Sequence, residues 1–312
     1  MKRLLILEKN APTYVQELTG RNLPELEIFS ASSIDEGSKY ISEIDIILGR
    51  PEFVAPLLSQ ASKLQWVQST FAGIEPFCAD ELRKDYMLTG VKDVFGPLMS
   101  EYVFAYILAL ERNLWATLQN QQEKNWSPIS YVGLDNKTIG IVGLGSIGSH
   151  IARTAAFFGM RVLGLKRTKS SIDHVAQLFT PAEIESFLPL LDYLVLILPD
   201  TAASQHFIGM GELKSMKETA ILMNVGRGSA VNQLDLVSAL QQGYIRGAVL
   251  DVFEEEPLPK DSPLWSMPNV YITPHNAAFS FPEQITTIFC DNYLRFLDAK
   301  PLKYMVDFTT GY

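Results

Sequence analysis

The chain has 312 residues, which is more than one compact core usually holds and enough for two domains. Hydrophobic residues make up 47% and charged residues 20%, a composition typical of globular proteins and unlike that of disordered or fibrous ones. The net charge of −9 argues against non-specific binding to nucleic acid or to an anionic membrane, because both require a basic surface.

The first third of the chain alternates short apolar runs with helical patterns, which predicts a parallel sheet with crossover helices. The first run is cut by Glu8, too early for a signal peptide, and is expected to be a buried strand. Loops follow two of the strands at 49–51 and 71–73, where a doubly wound sheet binds its ligand. The predicted strands are Leu4–Leu7, Leu26–Phe29, Ile44–Leu48 and Leu64–Gln68, and the predicted helices are Tyr14–Leu18 and Phe53–Ser59.

One long helix is predicted next, over Pro97–Gln122, because Pro97 suits a first helical turn and apolar residues recur at helical spacing. It is either a core helix or a contact between subunits. The longest apolar run, 102–110, is about half of the ~20 residues that a membrane helix needs. Cys78 and Cys290 show neither CxxC nor metal-ligand spacing. We therefore expect a cytoplasmic protein with reduced thiols, no metal site and no membrane contact.

A second series of strands begins after Lys137 and has the strand count of a full dinucleotide-binding domain. The last predicted helix, Pro282–Leu297, returns towards the first domain. We thus predict an α/β protein with two doubly wound parallel-sheet domains, a Rossmann dinucleotide-binding domain at 97–282 and a smaller flavodoxin-like substrate domain at 1–96 and 283–312. The strands of the second series are Thr138–Val142, Arg161–Leu165, Tyr193–Leu198, Ala220–Asn224, Gly247–Leu250 and Val270–Ile272, and its helices are Ile147–Phe158, Pro181–Phe187, Gly211–Ser215 and Gln233–Gln242.

A glycine motif follows the first strand of this series directly and leads into a helix, which is the context of a dinucleotide fingerprint. Gly143 permits the tight turn, Gly145 lets a pyrophosphate approach the backbone, and Gly148 lets the helix pack closely. The amides at the helix start, which include Ser146 and Ile147, are expected to face the phosphates.

The acid that NAD-binding domains place about 20 residues later is missing. The strand Arg161–Leu165 runs instead into Lys166-Arg167-Thr168-Lys169-Ser170. Cations and hydroxyls attract a 2′-phosphate, which a carboxylate would repel. Lys166, Arg167 and Thr168 therefore predict that NADP(H) is the preferred cofactor, with NAD(H) possible.

Three longer motifs, at 224–228, 250–259 and 272–275, resemble the D-isomer-specific 2-hydroxyacid dehydrogenase family, and the likeness covers nearly the whole chain. The segment 64–75 resembles the substrate loop of that family. Within the family, the short chain, the basic stretch after the second strand and the terminal Thr309, Gly311 and Tyr312 look most like glyoxylate/hydroxypyruvate reductases.

Reduction of a ketone builds negative charge on its oxygen, so it requires a proton donor and a cation. The resemblance implies that His275 is the general acid and that Glu256, chosen because it precedes Pro257, orients it and raises its pKa. It also implies that Arg227 binds the carboxylate of a 2-keto acid and polarises the carbonyl. The other histidines are expected to be surface or packing residues: His150, His174 and His206.

The family further implies that Asp251 bonds to the nicotinamide carboxamide and that Pro199, Val225 and Gly226 contact the cofactor. Substrate contacts are expected from Arg50 and from the backbone amides of Ala72, Gly73 and Ile74. Two positions depart from the family pattern. Lys166 replaces the acid of NAD users, and Asn276 follows the histidine where an apolar residue is more common.

We predict an oxidoreductase that transfers a hydride from NADPH to a small 2-keto acid, such as glyoxylate or hydroxypyruvate, to give the D-2-hydroxy acid. The family implies a homodimer. The alternative is a dinucleotide-sensing co-regulator module of the same fold, because some such relatives keep Arg227, Glu256 and His275. Phosphoglycerate and formate dehydrogenases of the same architecture are further alternatives.

Overall fold

A computed structural model describes residues 1–308, which form two compact units. Unit 1 comprises Met1–Val94 and the chain from Ser280 onward, and unit 2 comprises Phe95–Phe279. Each unit contains one parallel sheet with helices, which confirms the predicted fold class. The likeness of Thr309, Gly311 and Tyr312 to glyoxylate/hydroxypyruvate reductases lies outside the described residues.

Twelve strands and ten α-helices are formed by the described residues, with short 3-10 turns between them. The strands are β1 Lys2–Leu7, β2 Leu26–Ala31, β3 Ile46–Gly49, β4 Trp66–Ser69, β5 Met87–Thr89, β6 Thr138–Val142, β7 Arg161–Leu165, β8 Gln177–Phe179, β9 Tyr193–Leu196, β10 Ile221–Asn224, β11 Gly247–Leu250 and β12 Val270–Ile272. The helices are α1 Ala11–Thr19, α2 Ile34–Gly37, α3 Pro51–Val54, α4 Gly96–Glu111, α5 Leu114–Gln122, α6 Ser146–Phe157, α7 Ile184–Phe187, α8 Met210–Ser215, α9 Gln233–Gln241 and α10 Pro282–Leu297.

The sheet of unit 1 has the order β2-β1-β3-β4-β5, which is the flavodoxin-like order. Leu7 pairs with Gly49, and Gly49 pairs with Ser69, so β1, β3 and β4 end at the same edge. The strand order reverses between β1 and β3. Ligands of open α/β sheets bind at such a reversal, so the residues after β1 and β3 lie at a position suited to a ligand.

The end of the chain completes the core of unit 1. Trp66 is fully buried and stacks on Phe289 of α10, with 5.1 Å between the ring centroids. The buried Asn292 donates a hydrogen bond to Gln68 Oε1 and accepts one from the backbone amide of Lys303. Helix α10 is therefore an integral part of this core, because an unpaired buried amide or a cavity beside Trp66 would be costly.

The sheet of unit 2 has the order β12-β11-β10-β9-β6-β7-β8, a Rossmann order with a seventh strand. The last residues of the central strands are in register, since Val142 pairs with Leu165 and Leu196, and Leu196 pairs with Asn224. The loops after these strands therefore lie at one edge. All five residues of β6 are buried, as expected for a parallel strand that is covered on both faces.

The single helix predicted over Pro97–Gln122 is wrong, because the structure has two helices there. Helix α4 ends at Glu111, and Asn113 takes a left-handed conformation with φ +50° before α5 begins. Asparagine tolerates this conformation better than most residues. Burial also changes at this point. Glu111, the last residue of α4, is buried and accepts hydrogen bonds from Tyr193 and Arg246, whereas every residue of α5 is exposed or half-buried.

Smaller differences from the predicted elements also occur. The short strands β5 and β8 were not predicted. The helix predicted at Phe53–Ser59 is mostly a 3-10 turn that follows the four-residue helix α3, and the helix predicted at Pro181–Phe187 is a 3-10 turn at Pro181–Glu183 followed by the four-residue helix α7. Within residues 1–308, no helix combines the length and the apolar character needed to cross a membrane.

Candidate active site

The glycine loop after β6 fits a dinucleotide pyrophosphate. Gly143 has φ +99°, and a Cβ on it would lie 2.4 Å from the carbonyl oxygen of Ile197, so only glycine is tolerated there. Gly145 is the N-cap of α6, and apart from its own chain neighbours no described residue comes within 4 Å of the position that its Cβ would take. The first amides of a helix lack partners within the helix, so Ser146, Ile147 and Gly148 present N–H groups at a site open to an anion.

The turn after β7 is basic, as the sequence predicted. Lys166 donates a hydrogen bond to Ser170 Oγ at 2.9 Å, while Arg167 and Thr168 are exposed. Lys169 forms an ion pair with Glu183 at 2.7 Å, and this hydrogen bond is the first of several that lower the pKa of Glu183 to about 2. Lys169 is therefore engaged by a neighbouring carboxylate, and the cations closest to the strand are Lys166 and Arg167.

Arg227 lies in a tightly packed turn after β10. The side chain of Asn224 closes this turn by donating to the carbonyl oxygen of Arg227 at 2.9 Å and accepting from the amide of Gly226 at 3.3 Å. A Cβ on Gly228 would lie 1.9 Å from the carbonyl group of Phe253. The turn that carries Arg227 is thus held in direct backbone contact with the loop that precedes Glu256.

His275 and Glu256 form a hydrogen-bonded pair in unit 2. Nδ1 of His275 lies 2.7 Å from Oε2 of Glu256, and Oε1 of Glu256 accepts from the backbone amide of Phe253 at 3.0 Å. The carboxylate is therefore held at both oxygens and fixes the orientation of the ring. Within residues 1–308, Nε2 of His275 has no hydrogen-bond partner, so it is the ring nitrogen that can exchange a proton with a substrate.

The electrostatics of this pair favour the charged forms of both groups. The hydrogen bond to Glu256 raises the pKa of His275 above its ordinary value, and the charges of Glu256 and Asp251 act in the same direction, whereas burial and the charge of Arg227 oppose them. Burial alone would raise the pKa of Glu256, but the hydrogen bonds from His275 and Phe253 outweigh it, so this pKa is lowered. The positive charge of Arg227 lowers the pKa of both groups.

The loop that carries His275 is anchored on Asp251, which is 2% exposed. The carbonyl oxygen of Asp251 accepts from the amide of His275 at 2.8 Å. Its carboxylate accepts from Thr273 Oγ1 at 2.6 Å, from the amide of Asn276 at 2.9 Å and from the amide of Ala277 at 3.0 Å. These bonds hold His275 with φ +51°, a conformation that is unfavourable for a residue other than glycine.

These contacts revise how Asp251 and Asn276 are interpreted. An ionised carboxylate offers about four acceptor positions, and three of those of Asp251 are used by the loop. One remains for the predicted bond to a nicotinamide carboxamide. The side chain of Asn276 is exposed, and its contribution to the loop is made by its backbone amide.

The other predicted residues fall into two places. In unit 2, Pro199 is exposed in the loop after β9, and Val225 and Gly226 are buried after β10. In unit 1, Arg50 follows β3, and Ala72, Gly73 and Ile74 follow β4 at the neighbouring position of the sheet edge. The structure thus brings Arg227, Glu256, His275 and Asp251 together in unit 2, and Arg50 with the 72–74 loop together in unit 1.

Several residues of the site have contacts that sequence reasoning missed. Tyr102 of α4 hydrogen-bonds to Thr273 at 2.6 Å and so supports the loop of His275 through Asp251. The recognised motif contains Thr273, but nothing in the apolar pattern of α4 distinguishes Tyr102. Glu254, which is exposed, pairs with His206 at 2.9 Å. Among the described residues, no cluster of histidine, cysteine or acidic side chains is arranged to hold a metal ion.

Comparison with known proteins identifies the family. A family model described as D-isomer specific 2-hydroxyacid dehydrogenase, NAD binding domain, matches residues 104–277. A glyoxylate reductase of Thermococcus gammatolerans is 35% identical over 258 residues, which cover 78% of this chain and 76% of that protein.

Solved structures agree with this result. A D-isomer specific 2-hydroxyacid dehydrogenase family protein from Aeromonas salmonicida is 43% identical, with a TM-score of 0.95 over 98% of this chain and 99% of the other. An NADPH-dependent glyoxylate/hydroxypyruvate reductase from Sinorhizobium meliloti, solved with NADP and sulfate, is 29% identical, with a TM-score of 0.88 over the whole of both chains. These matches confirm the resemblance seen in the motifs around Arg227, Glu256 and His275. The chain belongs to the D-isomer-specific 2-hydroxyacid dehydrogenase family of NAD(P)-dependent oxidoreductases.

Proposed function

We propose that the protein is an NADPH-preferring reductase that converts a small 2-keto acid, such as glyoxylate or hydroxypyruvate, into the D-2-hydroxy acid. The observation that carries this proposal is the His275–Glu256 pair, 2.7 Å apart, on loops that contact the turn of Arg227. A protonated imidazole next to a cation is the arrangement that reduction of a charged keto acid requires.

The proposed mechanism divides the reaction between the cofactor and the protein. A nicotinamide cofactor held by unit 2 would supply the hydride for the carbonyl carbon. Glu256 holds Nδ1 of His275, which leaves the proton on Nε2 for the carbonyl oxygen. Arg227 binds the carboxylate of the substrate and stabilises the charge that develops on the oxygen. One hydride and one proton thus complete the alcohol, and the neutral His275 takes up a proton from solvent.

The preference for NADPH is inferred from the turn after β7. Lys166, Arg167 and Thr168 offer two cations and a hydroxyl, and the segment 166–170 contains no carboxylate. The Sinorhizobium relative, described as NADPH-dependent, supports this inference. We propose that unit 2 also holds the cofactor through the glycine loop, Pro199, Val225, Gly226 and the remaining acceptor position of Asp251.

The substrate class is inferred from the relatives that are named glyoxylate or glyoxylate/hydroxypyruvate reductases. Unit 1 is proposed to supply substrate contacts through Arg50 and through the amides of Ala72, Gly73 and Ile74. A small keto acid offers these amides one carboxylate, which backbone N–H groups bind well.

We further propose that the protein is a homodimer. Large apolar side chains are exposed on α5 and in the segment after it, with Trp126 99% exposed and Leu118 46% exposed. Exposed apolar side chains of this size are typical of protein–protein contacts. The expected cytoplasmic location stays a prediction.

The first test measures the oxidation of NADPH and NADH with glyoxylate, hydroxypyruvate, pyruvate and phenylpyruvate. We expect faster turnover with NADPH and its loss in His275→Ala. The double variant Lys166→Ala/Arg167→Ala should lower the NADPH-to-NADH ratio of kcat/KM about tenfold or more, because each loses a charged contact to the phosphate. The exposed Lys260 provides a matched control, since Lys260→Ala removes a charge from the same unit at another loop.

Two results would overturn parts of this proposal. A higher kcat/KM with NADH would refute the cofactor preference and leave the reaction intact. Tight dinucleotide binding without turnover of any keto acid would refute the reductase and support the dinucleotide-sensing module.

A further inference from the structure

Unit 1 contains a buried carboxylate that the proposed mechanism does not use. Glu8 follows β1 directly and is 3% exposed. Arg50 follows β3 directly, and the last residues of these two strands pair with each other. Glu8 and Arg50 therefore lie where the strand order of unit 1 reverses, which is the position where open α/β sheets bind ligands.

Glu8 holds Arg50 in place. Its Oε1 accepts a hydrogen bond from Thr70 Oγ1 at 2.7 Å and lies 3.4 Å from Nε of Arg50, and its Oε2 accepts from the amide of Lys9 at 2.9 Å. A buried carboxylate is costly unless it is paired and hydrogen-bonded. Glu8 meets these requirements, and its contact with Arg50 uses only Nε of the guanidinium.

The rest of the Arg50 guanidinium is supported by aromatic rings. Its central carbon lies 4.5 Å from the ring centroid of Phe71 and 5.8 Å from that of Phe53. Within residues 1–308, Nη1 and Nη2 make no hydrogen bond, and the side chain is 22% exposed. A guanidinium that is immobilised at Nε and stacked on rings presents its two terminal nitrogens as a ready fork for a carboxylate.

We propose that Arg50, positioned by Glu8 and Thr70, binds a second carboxylate at the far end of the substrate and so selects 2-keto dicarboxylic acids. This inference rests on the proposed reduction of 2-keto acids, and it favours dicarboxylates over the monocarboxylates glyoxylate and hydroxypyruvate as substrates. The amides of 72–74 are assigned to the carboxylate next to the keto group, and Phe71, which stacks on Arg50, directly precedes them. Arg50 is thus proposed to bind one carboxylate of the substrate, while the amides of 72–74 bind the other.

The test compares substrates of equal length with and without the second carboxylate. The pairs are 2-oxoglutarate with 2-oxopentanoate, and oxaloacetate with 2-oxobutanoate. We expect the dicarboxylate to have the higher kcat/KM in at least one pair. Arg50→Met should lower the ratio of kcat/KM for the dicarboxylate to kcat/KM for the monocarboxylate roughly 10- to 100-fold. Arg50→Lys should lower this ratio less, because a lysine keeps the charge and loses the two-nitrogen fork.

The positioning role of Glu8 needs a separate measurement. Glu8→Gln should raise the KM for the dicarboxylate more than it lowers kcat, which a general loss of folded protein would not do. Arg3→Met is the matched control, since Arg3 also pairs with a carboxylate, Glu27 at 3.1 Å, and lies 5.5 Å from the ring centroid of Phe29. Arg3 is near the start of β1, away from the edge where Arg50 lies, so the ratio should not change.

The outcomes separate this proposal from the proposed function. A wild-type ratio of one or less in both pairs, or an equal ratio in Arg50→Met and wild type, would overturn the second carboxylate site. If no keto acid is reduced at all, the proposed function fails, and calorimetric titration of 2-oxoglutarate into wild type and Arg50→Met still decides this site. Binding that is lost in the variant supports it, and equal or absent binding overturns it.

Discussion

Asp251→Asn tests whether the buried carboxylate of Asp251 holds the loop of His275 in place. One oxygen of this carboxylate accepts from both Thr273 Oγ1 and the amide of Asn276, and the other accepts from the amide of Ala277. An asparagine has one oxygen and one NH2 group, so it cannot accept from both sides. In either orientation an N–H donor faces another donor, and the remaining bonds lose the negative charge that strengthens them.

The magnitude follows from the number of these bonds. A hydrogen bond to an ionised partner contributes about 1.5 to 3 kcal/mol, and one to a neutral partner about 0.5 to 1.5 kcal/mol. Losing one of the three and weakening the others should lower the free energy of unfolding by about 3 kcal/mol. For a domain of the size of unit 2, this lowers the melting temperature by roughly 6 to 12 °C. The displaced His275 should lower kcat/KM for keto-acid reduction about 100-fold.

Thermal unfolding followed by circular dichroism, together with the NADPH oxidation assay, checks both effects. Asp192→Asn is the matched control, because Asp192 accepts from the amide of Thr138 at 2.8 Å and pairs with Lys217 at 3.0 Å, but within residues 1–308 it forms no hydrogen bond with the loop of His275. It should lower stability while kcat/KM of the folded enzyme is retained. If Asp251→Asn melts within about 2 °C of wild type and keeps its kcat/KM, the anchoring role of Asp251 is refuted.

Three further predictions concern the same site. Glu256→Gln removes the carboxylate charge and weakens the hydrogen bond, both of which raise the pKa of His275, so reduction, which needs the protonated ring, should decline at a lower pH than in wild type; an unshifted profile of kcat/KM against pH would contradict this. Arg227→Lys keeps the charge but loses the fork, so steady-state kinetics should show kcat/KM about 100-fold lower, and wild-type kinetics would show that the fork is not used. Gly228→Ala puts a Cβ 1.9 Å from the carbonyl group of Phe253, so calorimetry should show that the free energy of unfolding falls by about 1 to 3 kcal/mol. An unchanged melting curve would mean that the turn of Arg227 and the loop of Phe253 move apart at little cost.

The buried parallel strands were the most predictable part of the fold. Strands β6, β7, β11 and β12 have the predicted bounds, and so does helix α10. A strand covered on both faces requires an almost continuous apolar run, which is visible in the sequence without any knowledge of its neighbours. The motifs that carry Arg227, Glu256 and His275 were visible for another reason, since glycine, proline and charged residues stand next to one another only where backbone geometry and chemistry demand it.

The elements that were missed depend on tertiary contacts. Strands β5 and β8 have three residues each, and both lie at sheet edges, where pairing with one neighbour suffices and the apolar signal is weak. The break after Glu111 follows from the hydrogen bonds that bury its carboxylate, and these come from residues more than eighty positions away in the chain. The sequence around Asn113 contains neither proline nor glycine to mark it.

The hydrogen bonds that hold the site residues in place could not be predicted either, because they too depend on tertiary contacts. Two of the three donors to the Asp251 carboxylate are backbone amides, at Asn276 and Ala277, and any residue except proline can supply them. The left-handed conformation of His275 is imposed by the loop and has no signature in the residue type. The role of Glu8 was likewise hidden, because a single acid after an apolar run more often marks the end of a strand than a support for an arginine.

The two-part construction of unit 1 has a consequence for biosynthesis. The ring on which Trp66 stacks and the amide that pairs with Gln68 belong to Phe289 and Asn292, which leave the ribosome more than two hundred residues later. All of unit 2 is translated in between, and domains tend to fold as they emerge. Until α10 is synthesised, the face of the N-terminal sheet that carries Trp66 therefore remains uncovered. We expect this sheet to be the part of the nascent chain that is most accessible to chaperones and proteases.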